Sequence, residues 1–508
     1  MSEYFLGVDN GGTLIKAVVF DERGNAIAGA SRKVPVITPQ SGYFERDMDV
    51  LWKANYEAIA EAVKSSALPS KKIRGVACAG HGKGLYLWGR DGKPAYNGIM
   101  STDSRAWEYA ERWAQDGTAD RVFEKNYQRV LASQPVSLLR WFKDIKPEVL
   151  ERTKWIFEAK DYIRFRLTGE PYAEITDYSG ANLLNLRDCR FDADLLSEFG
   201  LRDVFGKLPP LKYSTDLCGC VSAEAAAVTG LEPGTPVAGG MFDIDACALA
   251  LDVVDEQKLC VIAGTWSINE FLSRKPVLNH SVMMNSLSFL PGYYLVEECS
   301  PTSAGNNEWF INLFLDTEKE EARVKGIDLY EYVSRLASET PPDGQTIVFL
   351  PYIYGANYNP KAKACFIGLE ASHTRKQILR AVFEGIVFCH MVHVEKLLSN
   401  REDPNIIRLA GGAAKSAVWA QIFADVFNCP VETVYATELG ALGCAMVASV
   451  TAGIYPNLRD AAAKMTKVGA RYEPNPNSVE IYRKKYKMYL AASAALEKYW
   501  SDFPTVTA

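Results

Sequence analysis

Two short stretches of this chain combine residues able to hold phosphate: Leu6-Gly7-Val8-Asp9-Asn10-Gly11-Gly12-Thr13 near the start, and Val261-Ile262-Ala263-Gly264-Thr265-Trp266-Ser267 past the midpoint. Each reads as an apolar strand, a Gly-Thr turn and a second strand, so backbone N–H groups and a hydroxyl converge where phosphate oxygens would sit. Only the first stretch carries an acid. Asp9, at a strand end, is placed to reach Mg²⁺ through water, while Gly11 and Gly12 leave bare backbone for the β- and γ-phosphates. Lys16, on the strand leaving that turn, presents an ammonium to the same group by strand alternation. The pattern is that of a duplicated hairpin in which one copy also holds a metal.

Further acids lie in Gly239-Gly240-Met241-Phe242-Asp243-Ile244-Asp245-Ala246, where two carboxylates enter a helix of small residues. The helix dipole favours their ionised form, and an acid there can orient and deprotonate a hydroxyl. Capping is the commoner duty of Asp at such a position, so one of the pair caps while the other does chemistry. Gly80-His81-Gly82-Lys83-Gly84 matches neither the P-loop nor the dinucleotide fingerprint. It reads as a strand-end turn whose His81 and Lys83 suit sugar hydroxyls. Asp103 and Arg105 offer a paired acceptor and donor to a polyol, or else a helix cap with its salt bridge. In Leu409-Ala410-Gly411-Gly412-Ala413-Ala414-Lys415-Ser416 a glycine turn between strand and helix lets a flat base or ribose lie against backbone, and close strand–helix packing asks for the same glycines.

The elements that position these residues follow from periodicity. Strands are expected at Tyr4–Val8, Ile15–Asp21 and Ala26–Val34, with Glu22–Asn25 as a turn, then a helix from Asp49 to Ser66 and a strand at Ile73–Ala79. The order recurs after about residue 250: hairpin Leu259–Leu272, strand Tyr293–Glu297, strand Ile406–Leu409 and helix Lys415–Asn428. Two related α/β domains with a cleft between them are implied. Residues from about Thr102 to Pro236 are richer in helical periodicity and decorate the first domain. A helix from Thr374 to about Asn400 carries His390 and His393, which we read as packed histidines because two ligands make no metal site. A terminal helix starts near Val479.

With 508 residues, 48% hydrophobic, two substantial cores are expected. A net charge of −6 leaves no electrostatic footprint for nucleic acid or an anionic membrane surface. The N-terminus lacks a basic and apolar leader, and a cytoplasmic location is expected. Eleven scattered cysteines suit a reducing compartment and are read as structural.

Taken together, Asp9 through Lys16, Gly240–Ala248, Ala263–Ser267, Lys160-Asp161-Tyr162-Ile163-Arg164-Phe165-Arg166-Leu167-Thr168-Gly169 with Asp177, and Gly411–Ala424 resemble the FGGY family of carbohydrate kinases, over nearly the whole chain. The resemblance implies an α/β fold of two actin/hexokinase-like (ribonuclease H-like) domains flanking an ATP and sugar cleft. Residues 1–251 would form the N-terminal domain with sugar-binding insertions, and 252–508 the nucleotide-binding C-terminal domain. It aligns Asp243 rather than Asp245 with the catalytic base, and assigns Asp9 to Mg²⁺. Gly11, Gly12, Thr13, Lys16, Gly264 and Thr265 go to the phosphates, and Gly411, Gly412, Ala413 and Ser416 to the nucleoside. His81, Lys83, Asp103, Arg105 and Asp243 fall to the sugar. The likeness is strongest to members acting on L-xylulose, with other pentuloses and polyols (D-xylulose, ribulose, erythritol, glycerol) as alternatives. An actin-like ATP-binding sensor or chaperone is the reading from a different class. A small-molecule sugar is the implied partner, with a homodimer admitted. Lys16 stands where several relatives carry arginine, exchanging a flat fork for a point charge.

Overall fold

A computed structural model of the chain describes residues 2–12, 14–356, 359, 361–436 and 438–502. The chain divides into two compact units. The first comprises Met1–Val254, Leu272–Val296 and Ala436–Lys467; the second comprises Asp255–Phe271, Glu297–Tyr435 and Val468–Ala508.

The first unit is built on a mixed sheet with strands in the order Leu217–Cys220, Pro236–Ala238, Ile73–Gly80, Tyr4–Asn10, Leu14–Asp21 and Ala26–Lys33. Tyr4–Asn10 runs antiparallel to Leu14–Asp21 and parallel to Ile73–Gly80. Leu14–Asp21 alternates at its start and is then buried on both faces from Ala17 to Phe20, as a central strand covered on both sides must be. Its turn is held by Asp21, whose Oδ1 accepts from the N–H groups of Arg23 and Asn25, and Gly24 takes the positive φ. The expected first helix runs Met48–Ser65, because Asp47 caps it by accepting from the backbone of Asp49 and Val50. Its buried face, Leu51, Trp52, Ala58, Ile59 and Ala62, joins Leu6, Val8, Ile15 and Val76 in one core. Each large side chain so buried stabilises the unit by roughly 1.5–3 kcal/mol.

The helix Leu439–Thr451 belongs to this unit and is apolar nearly all round. It lies on the sheet so closely that a Cβ on Gly7 would sit 1.8 Å from the Ala441 carbonyl oxygen, so no side chain fits there. The helix-rich region has a core of its own, with Trp113, Leu138, Phe142, Leu195 and Phe199 among its members.

The second unit repeats the plan. Its strands run in the order Tyr294–Ser300, Ser267–Ser273, Lys258–Ala263, Ile406–Gly411, Val431–Val434 and Val468–Tyr472. Again the first two in sequence form a hairpin and the first pairs in parallel with a distant strand, Ile406–Gly411. The long helix spans Arg375–Leu398 behind a Thr374–Gln377 capping box. Among the described residues it is the one helix long and apolar enough to cross a membrane, and 78% of its most apolar window is buried within the protein, as in a core helix. His390 and His393 are packed, as read: His390 lies between Ser267, Asn269 and Ser303, and His393 between Glu298 and Ser300. Burial pushes His390 down to about 3, so its ring is neutral.

Two helix starts differ from expectation by two residues or more. The helix expected at Lys415–Asn428 is a 3₁₀ turn at Ala413–Lys415 followed by Ala417–Phe427, because the Ser416 hydroxyl caps the helix by accepting from Trp419 N–H. The terminal helix begins at Pro476, a residue pre-set for a first turn. None of the eleven cysteines is in a disulfide.

Candidate active-site residues

In the first unit three chain segments leave the sheet side by side. Asp9 lies opposite Ala79 and Asn10 opposite Gly80 in one parallel pair, and Phe242 lies opposite Gly80 in another. The Asp9 turn, the His81–Gly84 turn and Asp243 therefore emerge together from the carboxyl ends of their strands, the edge at which α/β sheets bind ligands. Gly240 makes this possible: its φ is +79°, and a Cβ there would fall 2.0 Å from the Cys78 carbonyl oxygen.

Asp9 faces Lys16 across the hairpin, and a Cβ at Gly440 would lie 2.5 Å from its Oδ2. Its Oδ1 is buried, and no described residue hydrogen-bonds it. Burial raises the Asp9 pKa to about 6, against Lys16, which lowers it, and with Glu438, which adds to the rise. A carboxylate oxygen shielded from water and left without a donor is a fitting place for a cation. Among the described residues no three His, Cys, Asp or Glu side chains converge as a metal cage. One carboxylate completed by waters and phosphates is how Mg²⁺ is usually held. Lys16 Nζ forms an ion pair with Glu438 at 2.6 Å. The Gly11 and Gly12 carbonyls both accept from the buried Arg46 guanidinium, and a Cβ on Gly12 would meet nothing within 4 Å, so that turn is braced on one side and open on the other. Thr13 lies outside the described residues.

His81 is buried, with Nε2 3.0 Å from the Tyr86 hydroxyl and its backbone N–H bonded to Asn10 O. Burial, then Arg46, lowers its pKa to about 4, leaving a neutral imidazole. Lys83 holds a φ of +65° and sets its ammonium 6.0 Å from the Phe242 ring centroid. A left-handed backbone on a lysine is strain of the kind that collects at ligand sites. Asp103 and Arg105 are bonded to each other: Arg105 Nε and Nη2 donate to the two Asp103 oxygens at 2.9 and 2.8 Å, and Nη2 also donates to Glu45 at 2.8 Å. The guanidinium stacks 4.1 Å from the Tyr43 ring centroid, and its buried Nη1 has no acceptor among the described residues.

Asp243 opens the helix Asp243–Ala250 and is half-buried. Asp245 is fully buried and accepts from Phe289 N–H at 3.2 Å, which gives it a structural duty.

In the second unit the parallel pair sets Ala263 opposite Gly411, so the Gly264–Trp266 turn and the Gly411–Ser416 turn are neighbours. Thr265 is exposed. Gly411 has φ +84° and room for no Cβ, which would sit 2.4 Å from Ala263 O; Gly412 is in ordinary αR conformation and would place a Cβ 3.6 Å from Ala304 Cβ. Ala413 is buried, and Ser416, besides capping, meets the Ser334 hydroxyl at 2.6 Å. The two glycines therefore separate by experiment. Gly411→Ala is expected to destabilise the protein by more than about 2 kcal/mol. Gly412→Val is expected to fold, since its Cβ meets only ordinary van der Waals contacts, and to lose at least about tenfold in ATP affinity, as a branched side chain projects beside the turn. Unchanged affinity in folded Gly412→Val would make that turn a packing device alone.

Residues 4–250 match the N-terminal domain, and residues 259–452 the C-terminal domain, of the FGGY family of carbohydrate kinases. The chain belongs to that family. Among relatives, the kinase is 34% identical to a probable L-xylulose kinase of Pasteurella multocida over 97% of this chain and 99% of the relative. It is 33% identical to the L-xylulose/3-keto-L-gulonate kinase of Escherichia coli over 98% of each. Its fold is that of the ligand-bound xylulose kinase from Lactobacillus acidophilus, at a TM-score of 0.89 and 24% identity over 99% of this chain and all of that one. The kinase is thus a two-domain α/β sugar kinase, and sugar kinases of this family use ATP, normally with Mg²⁺.

Sequence reasoning missed several residues of the kinase that surround those it named. Glu45 and Arg46, adjacent in one short strand, serve Arg105 and the Gly11–Gly12 turn respectively. No alternation marks them in Phe44-Glu45-Arg46-Asp47, where three charged residues follow one another, although Glu45 and Arg46 are both buried. Glu158 Oε2 accepts from Gly84 N–H. Asp177, part of the family resemblance but given no role by it, sets its Oδ1 2.8 Å from where a Gly82 Cβ would be. Asp177 rises to about 7, chiefly by burial.

Proposed function

We propose that this kinase transfers the γ-phosphoryl group of ATP to the terminal hydroxyl of a small ketose, L-xylulose before others. The observation that carries the reading is the row of adjacent strand ends that brings Asp9, the His81–Gly84 turn and Asp243 to one edge of one sheet. The full-length relatives named for L-xylulose support the choice of sugar.

In this reading Asp243 accepts the proton of the sugar hydroxyl as it attacks, favoured in its ionised form by the helix start it occupies. Asp9 holds Mg²⁺ through its unpaired oxygen, with Lys16 and the open face of Gly12 turned to phosphate. Mg²⁺, when bound, withdraws negative charge from the phosphate oxygens. Thr13, Gly11, Gly264 and Thr265 offer hydroxyl and backbone donors to phosphate, and Gly411, Gly412, Ala413 and Ser416 line the nucleoside. His81, neutral, and Lys83 read sugar hydroxyls, as does Arg105 Nη1, which no described residue accepts from. Asp103 serves by holding that guanidinium. Residues 1–251 are assigned to the sugar and 252–508 to the nucleotide, and the enzyme is placed in the cytoplasm, where ATP is supplied.

The test is a coupled assay of sugar-dependent ADP release across ketoses and polyols. L-xylulose is expected to exceed D-xylulose and glycerol in kcat/KM, because a site built to bond one hydroxyl pattern leaves buried groups unpaired with the wrong epimer. Lys83→Ala is expected to erode that preference while leaving ATP affinity unchanged. A panel led by glycerol, erythritol or a ketohexose would overturn the pentulose assignment and leave the kinase standing.

A further inference from the structure

The strand that delivers Asp243 is only Met241–Phe242, two residues long, preceded by Gly239 and Gly240. So short a ladder fixes little by itself. Its backbone is instead held by groups buried in the first unit. Gly239 N–H donates to Asp216 O at 3.0 Å and Gly240 N–H to Ser214 O at 3.1 Å, while the Arg164 guanidinium donates to Gly239 O. Phe242 N–H, the last donor before Asp243, goes to the Thr176 hydroxyl oxygen at 2.9 Å.

That hydroxyl has a fixed direction. Thr176 Oγ1 donates to Glu174 Oε2 at 2.7 Å, so its hydrogen is committed and a lone pair is left facing Phe242. The other Glu174 oxygen accepts from the Ser214 hydroxyl at 2.8 Å, and Ser214 is the residue whose carbonyl receives Gly240. Glu174 therefore organises both ends of the Gly240–Phe242 stretch. Lys160 Nζ stands 3.4 Å from Glu174 Oε2, and Lys160, Glu174 and Thr176 are each 0% exposed. Burial opposes ionisation of Glu174, and Lys160 counters it.

We propose that Thr176, backed by Glu174 and Lys160, is a positioning residue for the phosphoryl transfer, clamping the Phe242 amide so that the Asp243 carboxylate is held where the sugar hydroxyl arrives. The proposal rests on Asp243 being the base. A valine in place of Thr176 has nearly the same shape but neither accepts from Phe242 nor donates to Glu174. A small displacement of a catalytic group is enough to cost about 10²-fold in rate.

The experiment compares Thr176→Val, Thr176→Ser, Ser214→Ala and Asp243→Asn in the full-length enzyme, by steady-state kinetics and by amide hydrogen exchange at Phe242. Thr176→Val is expected to lower kcat about 10- to 100-fold with KM for ATP within about twofold, and to speed Phe242 exchange at least about tenfold. Thr176→Ser, which keeps the hydroxyl, is expected to restore kcat to within about threefold. Full kcat with unchanged exchange in Thr176→Val, or a folded Thr176→Ser as impaired as Thr176→Val, would overturn the clamp. If Thr176→Val does not fold, Ser214→Ala, which removes the hydroxyl that fixes Glu174 but keeps the carbonyl that receives Gly240, must show a kcat-selective loss with faster Phe242 exchange; the absence of both overturns the proposal. Normal turnover in Asp243→Asn would instead remove the base assignment, while Phe242 exchange in Thr176→Val still decides whether the hydroxyl holds the segment.

Discussion

Asp243→Asn is expected to lower turnover by about two to four decades while leaving the fold and ATP binding intact. The amide keeps the shape and hydrogen-bonding reach of the carboxylate at the start of the Asp243–Ala250 helix but cannot take up the proton of an attacking hydroxyl. Asp245→Asn is the control that the structure supplies. Asp245 is fully buried with Oδ1 committed to Phe289 N–H, so its replacement is expected to shift the melting temperature more than the rate. Parallel measurement of kcat and Tm separates the two. A rate loss carried by Asp245→Asn, with Asp243→Asn near normal, would move the base two residues along the chain.

Asp9→Asn is expected to lower Mg²⁺-dependent transfer by about three decades or more and to leave sugar affinity unchanged. Calorimetry of sugar binding beside an assay of transfer distinguishes these. The same variant carries an opposite expectation for stability. Burial holds the Asp9 pKa at about 6, above the ordinary 3.8, so ionising it costs the metal-free protein stability. That cost is absent below the unfolded value, builds as pH rises from about 4 to 6 and is complete above. In the presence of a chelator, Asp9→Asn should therefore match the parent near pH 4 and exceed it in Tm at pH 8. A variant equally destabilised at both pH values would show that Asp9 is held by partners of its own, and the cation assignment would lose its physical ground.

The hairpins and the helices beside them were legible because each is a local matter. Alternation marks Leu14–Asp21, the Asp21–Asn25 turn carries its own side-chain acceptor, and Thr374 with Gln377 announces the long helix. Recurrence of the same order after residue 250 likewise shows in the sequence, and both sheets carry it. What stayed hidden depends on partners far apart in the chain. Lys160-Asp161-Tyr162-Ile163-Arg164 has the polarity of a solvated helix, yet Lys160, Asp161 and Arg164 are buried because Glu174, Asp177 and the Gly239 carbonyl answer them. The Lys16–Glu438 pair is a contact between opposite ends of the sequence, which no spacing rule reaches. Ser416 is a different case: a serine before an apolar run is an ordinary cap signal, and reading it would have started that helix two residues later.

Lys160 also makes the first unit its own reporter. Its ammonium is wholly enclosed and ringed by Asp161, Asp177 and Glu174 at 3.1, 3.1 and 3.4 Å, so acylating reagents in water meet it only when the surrounding core opens. Surface lysines such as Lys53 label at once. The slow labelling of Lys160, followed by peptide mass, then counts openings of this core one molecule at a time, without denaturant and without reference to catalysis.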